Sequence, residues 1–186
     1  MRFSTIIVGT LAAFGLVAAQ ATPAQQIVQA FKEITTLSDN LRIDTQKINL
    51  INAPLQGYKI AQGFAAIITR VGQASAMLSG GSSRKTRRQM APLADADAQL
   101  VVGALTTFVQ VHQALLNVVI GKHGLLTLIP FFEPIRQALV SLEATVDTFA
   151  FYLIAMIPTQ KPAADTQFGS LTVTVKFAIT TYEQPL

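Results

Sequence analysis

The chain contains no cysteine and no tryptophan, and only 13% of its 186 residues are charged. Disulfide bonds therefore cannot stabilise it, and packing alone must hold its shape. The charged fraction is about half that of a typical soluble domain. In contrast, 51% of the residues are hydrophobic and the mean hydropathy is +0.44. A chain with this much apolar surface to bury is not disordered.

Histidine is also scarce. His112 and His123 are the two in the chain, and no carboxylate stands beside them at ligand spacing, so a transition-metal site is not expected. The sequence has no G-x-S-x-G nucleophile elbow, no phosphate-binding glycine motif and no paired carboxylates on an apolar face. These absences argue against an enzyme, and no cofactor is expected.

The N-terminus has the three parts of a secretory signal peptide. A positively charged start precedes an uncharged apolar run over residues 3–18, and small residues then allow cleavage after Ala19 or Ala21. The run is short for a membrane span and is interrupted by glycines. We therefore expect residues 1–19 to be a signal peptide and residues 22–186 to form a single secreted domain, outside the cell or in the cell wall.

The rest of the chain has the spacing of amphipathic helices. Apolar residues recur at alternating steps of three and four, the repeat of a helix that keeps one stripe against a partner. Long helices are predicted over about 22–51, 58–79, 93–121 and 130–158, with a fifth, shorter helix ending near 182. The predicted fold class is all-α, a five-helix amphipathic bundle with room for a central apolar cavity.

The last segment is ambiguous by local pattern. Apolar and polar residues alternate strictly from Leu171 to Ile179, which favours a strand by propensity. A lone strand would have no pairing partner elsewhere in the chain. A helix is therefore predicted here.

His112 lies on the inner stripe of the third helix, between Phe108 and Leu115. One interpretation is a core histidine that is hydrogen-bonded to a carbonyl or hydroxyl group. The other is a polar group that faces an internal cavity and donates to the carboxylate of a bound lipid. The sequence leaves both interpretations open.

A local basic cluster contains four of the fourteen basic residues: Arg84, Lys85, Arg87 and Arg88. The cluster is interpreted as a solvated loop, as a surface attracted to anionic lipid head groups or wall polymers, or as a dibasic processing site. Nucleic acid is not an expected partner, because the chain is predicted to be secreted and no aromatic residue lies near the cluster.

The order of these segments resembles the fungal hydrophobic surface-binding protein A family, also called cell wall galactomannoproteins. The resemblance covers most of the mature chain and rests on the secretory leader, FKEITTLSDNLRIDTQKINLI, LLNVVIGKHGLL and ALVSLEATVDTFAFYLIAMIP. It implies a secreted five-helix bundle that adsorbs to hydrophobic surfaces and recruits hydrolases, or that encloses fatty acids between its helices. No Ser/Thr-rich stalk precedes Leu186, so covalent attachment to the wall is not expected.

We therefore expect a secreted, non-catalytic protein that binds hydrophobic surfaces or fatty-acid-like lipids, with no transmembrane segment in the mature chain. The alternative is a structural cell wall mannoprotein or antigen without a specific ligand. The second, third and fourth predicted helices each have a second apolar face, and this surplus implies a cavity, an exposed patch or an oligomer interface. Their stripes predict ligand contacts from Phe64, Ile68, Leu105, Phe108, His112, Leu115, Leu139, Leu142 and Phe149.

Overall fold

The computed structural model describes residues 21–80, 91–128 and 132–184. In these ranges the chain forms six α-helices and no strand: α1 (Pro23–Gln46), α2 (Ala53–Leu78), α3 (Asp95–Gly121), α4 (His123–Leu126), α5 (Phe132–Met156) and α6 (Lys161–Glu183). A 3₁₀ turn at Pro158–Gln160 precedes α6. The all-α class is confirmed for this part of the chain, but the helix count of five is not. The additional helix is α4, a single turn that forms where the chain turns after α3. The predicted signal peptide and the basic cluster lie outside the described residues.

The helix boundaries follow from capping residues and prolines. The Thr22 hydroxyl accepts from the N–H of Gln25, and the Gln25 side chain accepts from the N–H of Thr22, which is a capping box that satisfies two free donors. Two predicted boundaries are wrong, because α1 ends at Gln46 and α2 begins at Ala53. Pro54, three residues after the predicted end of the first helix, lies in the first turn of α2, where its missing N–H has no partner to lose.

The helix prediction for the last segment is confirmed, because α6 runs unbroken through residues 170–180. Packing against α3 and α5 overrides the local strand preference of this segment. Val173 and Phe177 remain exposed on its outer side. The buried residues of α6 have helical spacing and are Ala164, Phe168, Leu171, Val175, Ala178, Ile179 and Tyr182.

The five long helices pack as a ring. α1 contacts α2 and α3, α2 contacts α5, and α6 closes the ring between α5 and α3. α1 and α3 run in the same direction, because Phe31 contacts Phe108 and, further along both helices, Lys122 Nζ donates to the carbonyl of Ile48 at 2.9 Å. The ring therefore has one end formed by the α1–α2 turn, α4 and the C-terminus of α6.

α3 and α5 are long and apolar enough to cross a membrane by length and composition. In the ring, α3 packs between α1 and α6, and α5 packs between α2 and α6. Their inward residues belong to one hydrophobic core. Packing in the core thus explains the apolar character of one face of each helix. The absence of a transmembrane segment stays a prediction.

An aromatic cluster fills the centre of the ring. Phe31 of α1 contacts Phe108 of α3 and Phe149 of α5, with ring centroids 5.2 and 5.3 Å apart. Phe149 also contacts Phe168 of α6 at 6.3 Å. Tilted and edge-on pairs of this kind each contribute roughly 0.5–1.5 kcal/mol beyond the area that they bury. Because these side chains occupy the centre, the expected central cavity is not confirmed.

Replacing Phe31 with alanine is expected to lower the free energy of unfolding by about 3–5 kcal/mol, because the lost ring leaves a cavity between three helices. Phe177→Ala is the matched control, since Phe177 is 61% exposed, and it should change stability by less than about 0.5 kcal/mol. Urea denaturation followed by circular dichroism measures both. Similar losses in the two variants would contradict the central role of Phe31.

Candidate functional site

The structure brings the predicted contact residues into one core but does not place their three helices side by side. All are buried except Ile68, which is half-buried and packed against the core. In the ring, α2 is separated from α3 by α1. The side chain that bridges the predicted residues Phe108 and Phe149 is Phe31, which the sequence analysis left out of the site. Whether these residues contact a ligand stays a prediction.

The buried polar side chains of the described residues are Ser38, Thr45, Ser75 and His112. Each of the three hydroxyl groups donates to the carbonyl one helical turn earlier on its own helix. Such hydroxyls satisfy themselves locally and need no other partner. His112 cannot do this at both nitrogens, so it is the polar group on which a site would depend.

His112 pairs with Ser38 across the α1–α3 interface. Its Nε2 lies 3.3 Å from Ser38 Oγ, and the same hydroxyl donates to the carbonyl of Ile34 at 2.8 Å. Because a hydroxyl has one proton, Ser38 accepts from Nε2–H while it donates to Ile34. The bonding pattern thus assigns the imidazole proton to Nε2. Nδ1 is buried without a hydrogen-bond partner among the described residues, although the backbone of Phe108 interacts with the ring and raises the His112 pKa in part.

The electrostatics of this position keep His112 neutral. Burial lowers its pKa to about 4, because the imidazolium would lose its hydration, and the backbone of Phe108 opposes this shift only in part. The imidazole ring also packs against Phe108, with centroids 4.2 Å apart. The structure therefore shows a neutral core histidine bonded to a hydroxyl group, and it also leaves that histidine one unused acceptor.

Ser38 was missed by the sequence analysis, although a signal for it exists. It lies four residues after Ile34 and three before Leu41, both on the inner stripe of α1. A serine in this register faces the core. Its partner on α3 could not be found from the sequence, because helical spacing does not say which helices are neighbours.

A second ring cluster closes the end of the bundle near α4. The His123 ring contacts Tyr182 and Phe132, with centroids 4.9 and 5.7 Å apart. The Tyr182 hydroxyl donates to the carbonyl of Val119 at 2.9 Å. Burial raises the pKa of the Tyr182 phenol. These contacts tie α3, α4, α5 and α6 together, and the buried Nε2 of His123 has no hydrogen-bond partner among the described residues.

Two grooves open along the interface of α1 and α3, each with a volume of about 410 Å³. Lys32 borders both. The first groove includes Val28, Leu100 and Asp97. The second is lined by Phe31, Lys32, Thr35, Thr36, Ala104 and Thr107. The second groove reaches Phe31, and the packed rings of Phe31 and Phe108 separate it from the Ser38–His112 pair.

Two further expectations from the sequence concern metal binding and the basic cluster. Among the described residues, no group of three or more His, Asp or Glu side chains is arranged to hold a metal ion. Arg84, Lys85, Arg87 and Arg88 lie outside the described ranges. Their role at the surface stays a prediction.

The ring of helices is a fold also found in proteins whose structures contain fatty acids. One is AfMP4p in complex with palmitic acid, with a TM-score of 0.75 and 17% identity over 86% of this chain and 99% of that chain. Another is ligand-binding domain 1 of the Penicillium marneffei MP1 protein complexed with arachidonic acids, with a TM-score of 0.57 and 13% identity over 84% of this chain and 98% of that chain. No family model and no curated protein matches the sequence. At these identities the likeness establishes the fold, and family membership stays a prediction.

The buried His112 should make stability depend on pH. Its pKa falls from 6.5 to about 4 on folding, so between these values the unfolded chain binds a proton that the folded chain excludes. Its contribution is fully present above about pH 6.5 and is lost as the pH falls toward 4, an effect of about 3 kcal/mol. Urea denaturation at pH 7, 5.5 and 4 measures this loss.

His112→Phe is the control for that measurement, because it keeps a ring against Phe108 and removes the titrating group. Carboxylates also titrate in this pH range, but they are the same in both proteins. The stability of the variant should therefore fall less on acidification than that of the wild type. Equal slopes would contradict the effect assigned to His112.

Proposed function

We propose that this protein binds fatty acids or similar acyl ligands inside its ring of helices and does not catalyse a reaction. The observation that carries the proposal is the free Nδ1 of His112 in an apolar interior, next to Ser38. Leaving a buried polar atom unpaired costs about 1–3 kcal/mol. A ligand whose polar head meets Nδ1 removes that cost, and its apolar chain suits the surrounding side chains. The fatty acids held by AfMP4p and the MP1 domain support this class of ligand.

The neutral state of His112 defines the preferred head group. A protonated carboxylic acid donates its O–H to Nδ1, and the single proton is then shared between the two groups. A bound carboxylate beside a neutral imidazole would lack this proton and would place an unpaired charge in the core. A methyl ester has no proton to donate and would leave Nδ1 unpaired. The site should therefore prefer the acid to its ester.

Because aromatic rings contact one another at the centre, an acyl chain that enters there would displace a side chain. Phe31 is the best candidate, because it lines the second groove at the surface and also contacts the central rings. Movement of this ring toward Ala104 and the threonines of the groove would open a path to His112. The chain would then replace ring contacts with acyl contacts of similar dispersion energy.

We further propose that the protein acts outside the cell, at the wall or in the medium, where it also adsorbs to apolar surfaces and recruits secreted hydrolases. The signal-like N-terminus and the resemblance in segment order support this part of the proposal. The second candidate function is a structural wall protein without a ligand. The packed aromatic centre favours that alternative, because Phe31 contacts Phe108 and Phe149 where a bound chain would lie.

Ligand binding can be tested by native mass spectrometry and titration calorimetry with palmitic acid and methyl palmitate. At about pH 5, where a sizeable share of carboxyl groups still carries its proton, wild-type protein should bind the acid about tenfold more tightly than the ester, the effect of one hydrogen bond to an otherwise unpaired atom. His112→Phe should bind both equally. The preference is a better test than affinity alone, because it separates head-group recognition from general apolar binding.

The outcome also decides between the two functions. A protein that binds neither compound, although its circular dichroism is that of a folded helical protein, would contradict acyl binding and leave the structural role. Binding with an unchanged acid preference in the His112→Phe variant would contradict the head-group assignment.

A further inference from the structure

One end of the bundle exposes aliphatic side chains that the core does not use. Leu50 is 70% exposed and Ile51 is 94% exposed in the turn between α1 and α2, and Leu55 is 62% exposed in the first turn of α2. We call these three residues the aliphatic tip. Leu128, which follows α4 at the same end, is also exposed. An exposed fraction of 94% means that the Ile51 side chain protrudes and contacts almost nothing in its own chain.

The turn that carries the tip is held by two asparagine side chains. The Asn49 side chain accepts from the N–H groups of Ile51 and Asn52, and the Asn52 side chain accepts from the N–H of Asn49. The Asn52 amide also donates to the carbonyl of Lys47, and the N–H of Ala53 donates to the carbonyl of Asn49. The tip is therefore presented by an ordered turn.

The hydrogen bonds of this turn bear on whether it can enter an apolar medium. Peptide groups that enter an apolar medium must be hydrogen-bonded within the protein, since no water remains to bond them. Here the N–H groups of Asn49, Ile51 and Asn52 are already bonded to side chains of the same turn. Within the described chain, the N–H groups of Leu50 and Leu55 and the carbonyl groups of Leu50 and Ile51 have no hydrogen-bond partner in the protein. The turn thus keeps part of its backbone hydrogen bonding when it leaves water, and the groups without a protein partner must stay at the level of the head groups.

The charges at this end suit the head-group region of a membrane. The acidic side chains at this end are Asp44, Glu133 and Glu183. The basic ones are Lys47, Lys59, Lys122 and Arg136. Asp44 is paired with Lys47 at 3.4 Å and Glu133 with Arg136 at 2.7 Å. Among the described residues, Lys59 has no ion-pair partner and lies one turn after Leu55. The excess of positive charge is small, so apolar insertion dominates and anionic lipid adds to it.

We propose that the aliphatic tip docks this protein onto lipid bilayers, with Leu50 and Ile51 among the acyl chains and Lys59 at the head groups. A bilayer fits better than a protein partner, because three protruding side chains offer far less than the roughly 800 Å² per partner of a stable protein interface. Docking stands on the tip alone. Its use to collect or deliver an acyl ligand rests on the proposed function.

Because the chain has no tryptophan, a single introduced tryptophan reports on the tip. Ile51→Trp is mixed with vesicles of phosphatidylcholine and phosphatidylglycerol. Its emission should shift to the blue and resist quenching by acrylamide, as expected for an indole that leaves water. Val173→Trp is the matched control, since Val173 is 70% exposed on the side of the bundle, and it should not shift. An unshifted Ile51→Trp emission would overturn the proposal.

A second experiment compares the native tip with a variant in which two of its apolar side chains are replaced. Wild type, Leu50→Ser/Ile51→Ser and the control Val173→Ser/Phe177→Ser are compared by vesicle flotation. The tip variant should bind vesicles at least about tenfold more weakly, because two apolar side chains no longer leave water, and the control should bind as wild type does. Equal binding by all three proteins would overturn the assignment. A concentration-dependent dimer that the tip variant loses, without vesicle binding by the wild type, would overturn it in favour of a second copy.

The acid-over-ester preference is measured on the same variants in solution. It should be unchanged in the tip variant, because the Ser38–His112 pair lies inside the ring. Loss of vesicle binding with an intact preference supports docking by the tip. Vesicle binding by a protein with no acid preference would contradict the proposed function and leave docking in place.

Discussion

The contacts of Phe31 with Phe108 and Phe149 are the constraint on which the rest of the structure depends. They join α1, α3 and α5 at the centre of the ring. A chain without cysteine has no covalent link to keep distant helices together, so ring contacts of this kind must do so by area and fit. Because the Phe31 contacts fix α1 against α3, Ser38 lies next to His112 further along the same interface.

The same contacts create a conflict between stability and binding. The rings that stabilise the core occupy the place that an acyl chain would need, so a ligand must replace contacts that it displaces. Acyl contacts have a dispersion energy similar to that of ring contacts, so the exchange would be nearly neutral in this respect. In the proposed complex the polar head would then decide the balance, since it would meet the Nδ1 of His112, which has no partner among the described residues. A fully packed core and an acyl-binding function are therefore compatible.

Helical spacing was enough to predict the long helices and most of the core, because the stripe of each helix records which face is buried. It was also enough for α6, where the absence of a strand partner outweighed local propensity. The arrangement of the helices was not predictable, since a stripe does not identify the helix that covers it. That is why the predicted contact residues come from α2, α3 and α5, which are not all neighbours, and why Phe31 and Ser38 of α1 are not among them. The end of α1 was misplaced because Asn49 and Asn52 form a turn by side-chain bonds that no periodicity reveals.

Apolar side chains of the sequence lie in two places in the fold, the centre of the ring and the exposed aliphatic tip. A surplus predicts a cavity, an exposed patch or an interface, and the centre of the ring is filled. Leu50 and Ile51 add nothing to the core, and the asparagines of their turn hold them outward instead of allowing them to fold back. Their exposure is therefore a property of the turn and not a failure of packing. An apolar ligand that is poorly soluble in water must be taken from one apolar surface and delivered to another. In our proposal, the ordered aliphatic tip at one end of the ring is the part of the protein that contacts such a surface.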